Sequence, residues 1–220
     1  MTRIIFLLLF SFCLSISTAE AQRSWRDSLS VLNRAIEQHP QSTDLRLKKA
    51  AVNIELNQWE YAIEEYGRVL DIDEHNLSAL FYRAYAHNHQ HEYVLARADY
   101  ERFLAILPRH FEARLGLAMT QRRLGNVLEA TNELNRLVEM FPDSANAWAA
   151  RASYEAEQKQ HELALYDWDE ALRLSPDNAE YLAAKADVLM ALGRKKEARR
   201  IMRQLPLSRE PAPQDSGRNP

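Results

Sequence analysis

A chain of 220 residues can hold one domain or one array of repeats. Its formal net charge of −3 gives no electrostatic ground for nucleic-acid binding, and 46% hydrophobic with 27% charged residues is an ordinary soluble mixture. Five glycines are few for a sheet-rich or phosphate-cradling protein, whose turns need positive φ, and frequent Ala, Leu, Arg and Glu favour helix.

Residues 1–21 read as a cleaved secretory signal. Arg3 supplies a positive start, and Ile4 to Leu14 is an apolar stretch too short for a comfortable membrane span. Ala19-Glu20-Ala21 forms an A-x-A site, which predicts cleavage before Gln22. The chain is therefore expected to be exported, to the periplasm or the medium if the source is bacterial. Cys13, the only cysteine, lies inside this segment, so the mature protein is expected to be thiol-free and to depend on packing rather than disulfides. Lipoprotein signals resemble one another in placing a small residue before the acylated cysteine. Phe12 departs from that pattern, and Cys13 is read as an inert part of the apolar segment.

Residues 22–42 contain one helical stretch, 24–38, with Trp25, Leu29, Leu32, Ala35 and Ile36 at helical spacing. From there the chain is periodic. Ala62, Ala96, Ala130, Ala164 and Ala198 are each 34 residues apart, and Ala50, Ala84, Ala118, Ala152 and Ala186 keep the same interval twelve residues earlier. Full units run 43–76, 77–110, 111–144 and 145–178, with a fifth at 179–207. Each unit predicts a helix, a brief break and a second helix that ends near a proline. Pro40, Pro108, Pro142 and Pro176 share one grid, on which Glu74 replaces the proline once. Gly125 and Gly193 fall at the same turn inside their units, where a left-handed residue ends the first helix. From about residue 208 the Pro-rich tail is expected to be disordered.

This pattern resembles the tetratricopeptide repeat, W-x2-L-G-x2-Y…A-x3-F…P. The fourth unit fits it best, with Trp148, Ala152, Ala164, Trp168, Ala171 and Pro176. Ala62/Tyr66 and Ala96/Tyr100 repeat the A-x3-aromatic element, which weakens to Ala130/Leu134 and Ala198/Met202. The resemblance covers residues 24–205. It implies an all-α fold, a right-handed α-solenoid of about five stacked antiparallel helix pairs plus an N-terminal half-repeat. One hairpin cannot bury its apolar face alone, so stacked hairpins share a core. The sequence departs from the family at two points. Asn53, His87, Gln121, Glu155 and Leu189 stand where it has a tyrosine, and Lys49, Arg83, Leu117, Arg151 and Lys185 where it has a leucine. Those four cations are expected to be structural, with packed stems and solvated or paired heads.

Helix 24–38 reads as the second helix of a unit whose first is missing, covering the exposed end of the first full repeat. At the other end, Arg194, Lys195, Lys196, Arg199, Arg200 and Arg203 read as the polar cap that terminal repeats need. The alternative is contact with anionic lipid or glycan, and Arg194–Arg203 is the only segment where membrane contact is envisaged.

Little else carries chemistry. In the run His87, His89, His91 only the outer two share a helical face, and no third metal ligand is evident. Asp71-Ile72-Asp73-Glu74 lacks the glycine and distant glutamate of a calcium loop. No phosphate loop, nucleophile elbow or zinc motif appears. No catalytic residue, metal or cofactor is therefore expected.

The resemblance further implies that the first helices line a groove for a protein or peptide partner. Carried onto this sequence, its groove positions are Leu47, Ala51 and Ile54, then Phe81, Tyr85, Asn88 and His89. The third unit contributes Leu115, Met119, Arg122 and Arg123, and the fourth Ala149, Ser153 and Ala156. Aromatics, Met and Arg are enriched at interfaces. Some relatives clamp a C-terminal carboxylate, but the matching places here hold Leu47, Ala51, Tyr82, Glu112 and Gly116, which do not fit. The expected function is a non-catalytic adaptor in the cell envelope that binds a partner segment in this groove, with no nucleic acid involved. The alternative is a structural subunit or assembly factor that associates through its convex face or its ends.

Overall fold

A computed structural model describes residues 23–205 of the protein. The expected signal segment with Cys13, and the tail from 208, lie outside the described residues. Among those residues the chain is entirely helical. Helix α1 covers residues 23–38. It is followed by α2 (Thr43–Glu55), α3 (Trp59–Ile72), α4 (Leu77–His89), α5 (Tyr93–Ile106) and α6 (Phe111–Arg123). The remainder are α7 (Val127–Met140), α8 (Ala145–Glu157), α9 (His161–Leu174), α10 (Ala179–Ala191) and α11 (Lys195–Met202). No helix among these is long and apolar enough to cross a membrane.

The chain divides into two compact units, with the boundary between Asn126 and Val127. In the first, α2 packs on α3, α3 on α4, α4 on α5 and α5 on α6. In the second, α7 to α11 pack in the same consecutive way. The all-helical, stacked-pair architecture expected from the periodicity is thus the one the chain adopts. The two helices of the third 34-residue repeat, α6 and α7, belong to different units.

The start and end of the first helices have local causes that recur on the 34-residue grid, although Ser144, at the start of α8, makes no side-chain cap bond. Ser42, Asn76, His110 and Asn178 are N-caps whose side chains accept a bond from backbone N–H groups of the first turn, as from Leu45, Ala79, Ala113 and Tyr181. Each first helix then closes in a Schellman turn. The N–H groups of Gln58, Glu92, Asn126, Gln160 and Arg194 reach back to the carbonyls of Asn53, His87, Gln121, Glu155 and Leu189, at 2.8–3.0 Å. That turn needs a left-handed residue, and Asn57, His91, Gly125, Lys159 and Gly193 all have φ between 56° and 77°.

Only two of these five are glycine. Lys159, at φ 61°, carries a Cβ into a region that costs an L-residue about 1–2 kcal/mol. Lys159→Gly is expected to stabilise the protein by about 0.5–1 kcal/mol, once the larger chain entropy of glycine is subtracted. A raised urea midpoint at unchanged m value would report it.

All ten alanines of the two ladders are 0% exposed. They lie buried among the packed helices, and larger residues fill around them. In the first unit these are Tyr66, Val69, Leu80, Tyr100 and Phe103; in the second they are Leu165, Trp168, Leu182 and Leu189. On α1, Leu29, Leu32, Ala35 and Ile36 are half-buried on one face, and Trp25 is 37% exposed. A recess lined by Leu29, Asn33, Lys49, Asn53 and Tyr61 sets that face against α2 and α3.

A third ladder is acidic and was not expected. Glu65, Asp99, Glu133 and Asp167 are 34 residues apart, one on each of α3, α5, α7 and α9, and all are buried. Three of them receive the cations that replace the family's leucine, while Glu133, whose repeat keeps Leu117 there, pairs with Arg136 on its own helix. Lys49 Nζ lies 2.9 Å from Glu65, where Arg46 also binds at 3.0 Å. Arg83 grips Asp99 with two bonds of 2.7 Å, and Arg151 grips Asp167 with bonds of 2.6 and 2.9 Å. In the last repeat Ile201 occupies the acidic position, and Lys185 pairs with Asp169 instead. The polar residues at the family's tyrosine position are accommodated beside these pairs. His87 Nδ1 bonds Glu92 at 2.6 Å, and Gln121 Oε1 accepts from Asn126 at 2.8 Å.

Candidate functional site

The first helices of the first unit carry most of the residues assigned to a groove, and the structure sorts them into distinct places. Five of them, Tyr85, Asn88 and His89 on α4 with Met119 and Arg123 on α6, line one cleft of about 400 Å³. The turn residue His91, the second-helix residues Tyr93 and Tyr100, and Gly116 complete it.

The floor of the cleft depends on a close approach. A Cβ added to Gly116 would stand 2.5–2.9 Å from the ring of Tyr100, so only glycine lets that ring lie against α6. Burial pushes the Tyr100 phenol up to about 12, against the opposing effect of its hydrogen bond with Asn88, so it stays neutral. Asn88 Nδ2 donates to Thr120 Oγ1 at 2.9 Å, and the one hydroxyl proton of Thr120 is within reach of either the Gly116 carbonyl at 2.7 Å or Asn88 Oδ1 at 3.1 Å. Asn88 therefore fixes the spacing of α4 and α6 as well as lining the site.

The rim is aromatic. His89 stacks on Trp59 at 4.1 Å with the rings within 3° of parallel, and Tyr85 meets both rings edge-on. His91 Nδ1 lies 2.7 Å from the Tyr93 hydroxyl. Tyr85 is 40% exposed, and Arg123 is exposed with no hydrogen bond or ion pair among the described residues. None of the nine lining residues is a carboxylate. The cleft thus offers flat apolar walls, a thioether and one uncompensated guanidinium.

The other assigned residues lie elsewhere. Leu47, Ile54 and Phe81 pack on the hydrophobic core of the first unit. Phe81 is ringed by Tyr82, Tyr100, Phe103 and His110 at 5.1–5.9 Å and borders a second recess with Leu77, Leu107 and Glu112. Leu115 is half-buried, and Arg122 is exposed with its Nη1 3.8 Å from the Met119 sulfur. Ser153 is exposed on α8, in the second unit, as Ala51 is on α2. Trp59 and Tyr93 were not anticipated. They occupy the same grid position, the first residue of a second helix, and that shared aromatic was the available signal. Among the described residues no group of three or more His, Cys, Asp or Glu is placed to hold a metal ion.

Two sequence models described as tetratricopeptide repeat match the chain, one over residues 87–154 and 155–214 and the other over 16–76 and 54–111. The chain is a tetratricopeptide-repeat (TPR) protein. Among curated proteins it is 29% identical over 133 residues to human peptidyl-prolyl cis-trans isomerase FKBP4, covering 59% of this chain and 29% of that protein. It is 22% identical over 216 residues to a DnaJ homolog subfamily C member 7 homolog of Dictyostelium discoideum, covering 76% and 40%. The TPR chain therefore spans well under half the length of these relatives. Among solved structures, MamA of Desulfovibrio magneticus RS-1 matches with a TM-score of 0.66 at 16% identity, over 74% of this chain and 92% of that one. YrrB, a TPR protein with an unusual peptide-binding site, matches at 0.61 and 17%, over 79% and 89%. A TPR protein of Parabacteroides merdae matches at 0.63 and 20%, over 84% and 72%. At these identities the likeness is one of fold.

Proposed function

We propose that this TPR protein is a non-catalytic adaptor of the cell envelope that holds a segment of a partner protein in the cleft of its first unit. The observation that carries this reading is the meeting of Tyr85, His89 and Met119 with the unpaired Arg123 on a surface free of carboxylates. Apolar or aromatic side chains of the partner would lie on the Tyr85 and Met119 surfaces, with a partner carboxylate on Arg123. A site for peptide in YrrB, of the same fold, accords with this use. Export rests on the N-terminal apolar segment, and fractionation of the tagged chain tests it.

A photo-crosslinking residue at Tyr85 is expected to yield a discrete adduct that the same residue at Tyr166, exposed on α9, does not. With that partner purified, Met119→Ala with Arg123→Ala is expected to weaken binding about tenfold or more. Identical adducts from both positions, or unchanged affinity, would overturn the assignment.

One observation favours a second reading, association by the outward face. Large apolar side chains stand exposed in the first turns of second helices, namely Tyr61, Val94 and Leu95 in one unit and Val127, Leu128 and Leu163 in the other. A stable homo-oligomer at rising concentration, disrupted by Leu95→Lys, would support that reading instead.

A further inference from the structure

The last helix differs in charge from every other second helix. In α3, α5, α7 and α9 the arginines have carboxylate neighbours one turn away: Arg68 pairs with Glu64, Arg97 with Glu101, Arg136 with Glu133 and Arg173 with Glu170. In α11 only Arg194, at its N-cap, is so paired, with Glu197 at 2.7 Å. Lys195, Lys196, Arg199, Arg200 and the C-cap residue Arg203 are all exposed, and none makes a side-chain hydrogen bond or ion pair among the described residues. At 3.6 residues per turn these five fall within one face of the helix. Ala198 and Ile201 are buried on the opposite face, in the core of the second unit. The chain as a whole carries −3, so this is a local concentration of one sign.

A terminal cap requires polarity, and mixed charges supply it equally well. It does not require a single sign. We infer that the outer face of α11 is a docking site for an anionic lipid surface. From Lys195 to Arg203 the face carries five cations and no Trp or Tyr of the kind that anchors protein–protein contacts. No aromatic residue lies in α11 on which a nucleobase could stack. A plane of anionic headgroups can meet all five cations at once, and Met202, 40% exposed beside them, can rest at the headgroup level. Because the apolar face of the helix is committed to the core, the contact is adsorption without insertion, and it is screened by salt. Each cation is worth roughly a fivefold change in partitioning.

The test is sedimentation of the full chain with large vesicles of phosphatidylcholine alone or mixed with phosphatidylglycerol. The neutral vesicles report any contribution of the N-terminal apolar segment. Binding to the anionic vesicles is expected to exceed that baseline by at least about tenfold and to collapse in high salt. Lys196→Gln, Arg199→Gln and Arg203→Gln together should remove most of that excess, while Tyr85→Ala should leave it unchanged. The unfolding midpoint of the triple variant confirms that it is folded, and Arg199→Lys, which keeps the charge, should retain binding. Equal binding to both vesicle types, or full binding by the folded triple variant, overturns the inference. So does binding of duplex DNA or polyglutamate, but not vesicles, that depends on the same residues.

Discussion

Asp167→Ala is expected to destabilise the second unit by about 3–5 kcal/mol. Asp167 is 1% exposed and accepts both bonds of the Arg151 fork. Arg151 is held from other sides as well: its Nη1 donates to Asn135 at 3.1 Å, and its Cζ stands 5.2 Å from the centre of the Trp148 ring. Removing the carboxylate therefore strands a guanidinium that cannot easily swing into water, and an uncompensated half-buried charge is the costly outcome. The nearest substitute is Glu155, whose Oε1 is 3.9 Å from Arg151 Nε.

Burial, and then the charge of Asp167, raise Glu155 to about 7 from an ordinary 4.5. Between those values the folded protein binds a proton that the unfolded chain releases, so this group's contribution to stability falls as pH rises through that window. Glu155→Gln should abolish the fall. In Asp167→Ala the fall should shrink, because one cause of the raised value is gone and Glu155 ionises to meet Arg151. Urea unfolding below and above the window, followed by tryptophan fluorescence, measures both effects. A loss under about 1 kcal/mol would mean that Arg151 reaches solvent and that the pair behaves as a surface one.

Ala84→Leu is expected to cost about 3 kcal/mol in the first unit. Ala84 is 0% exposed on α4, inside the cluster formed with Tyr66, Leu80, Tyr100 and Leu117. Three added carbons find no void there, so either the side chain leaves its rotamer or α4 moves from its neighbours. The same change at Ala51, exposed on α2, is the control and should alter stability by no more than about 0.5 kcal/mol. Circular dichroism melts of the two variants separate crowding from helix propensity, since alanine to leucine is nearly neutral for propensity. Equal melting points would refute close contact at the ladder.

The site was legible to the extent that it depends on helix phase. Tyr85, Asn88, His89, Met119 and Arg123 could be gathered from α4 and α6 because helices in register repeat their facing positions. Phe81 has the same phase but packs into the core cluster, because large neighbouring aromatics close over it. Trp59 and Tyr93 were hidden for the opposite reason: they lie on second helices and reach the site area only through the left-handed turns at Asn57 and His91. The acidic ladder was hidden because Glu65 or Asp99 in a mixed-charge helix reads as solvated until the partner helix supplies Lys49 or Arg83.

The sequence alone determined the helical fold, the 34-residue phase, the two alanine ladders and the left-handed position that ends each first helix. All of these are local or periodic requirements, imposed by backbone geometry and by the space between adjacent helices. Only the tertiary structure decided which charges are buried and paired, which groove residues share a cleft, and which cations have no partner. Those properties depend on side chains about sixteen to thirty-four residues apart meeting across helices, and the repeat period brings such positions together without deciding which of them are covered, paired or left open.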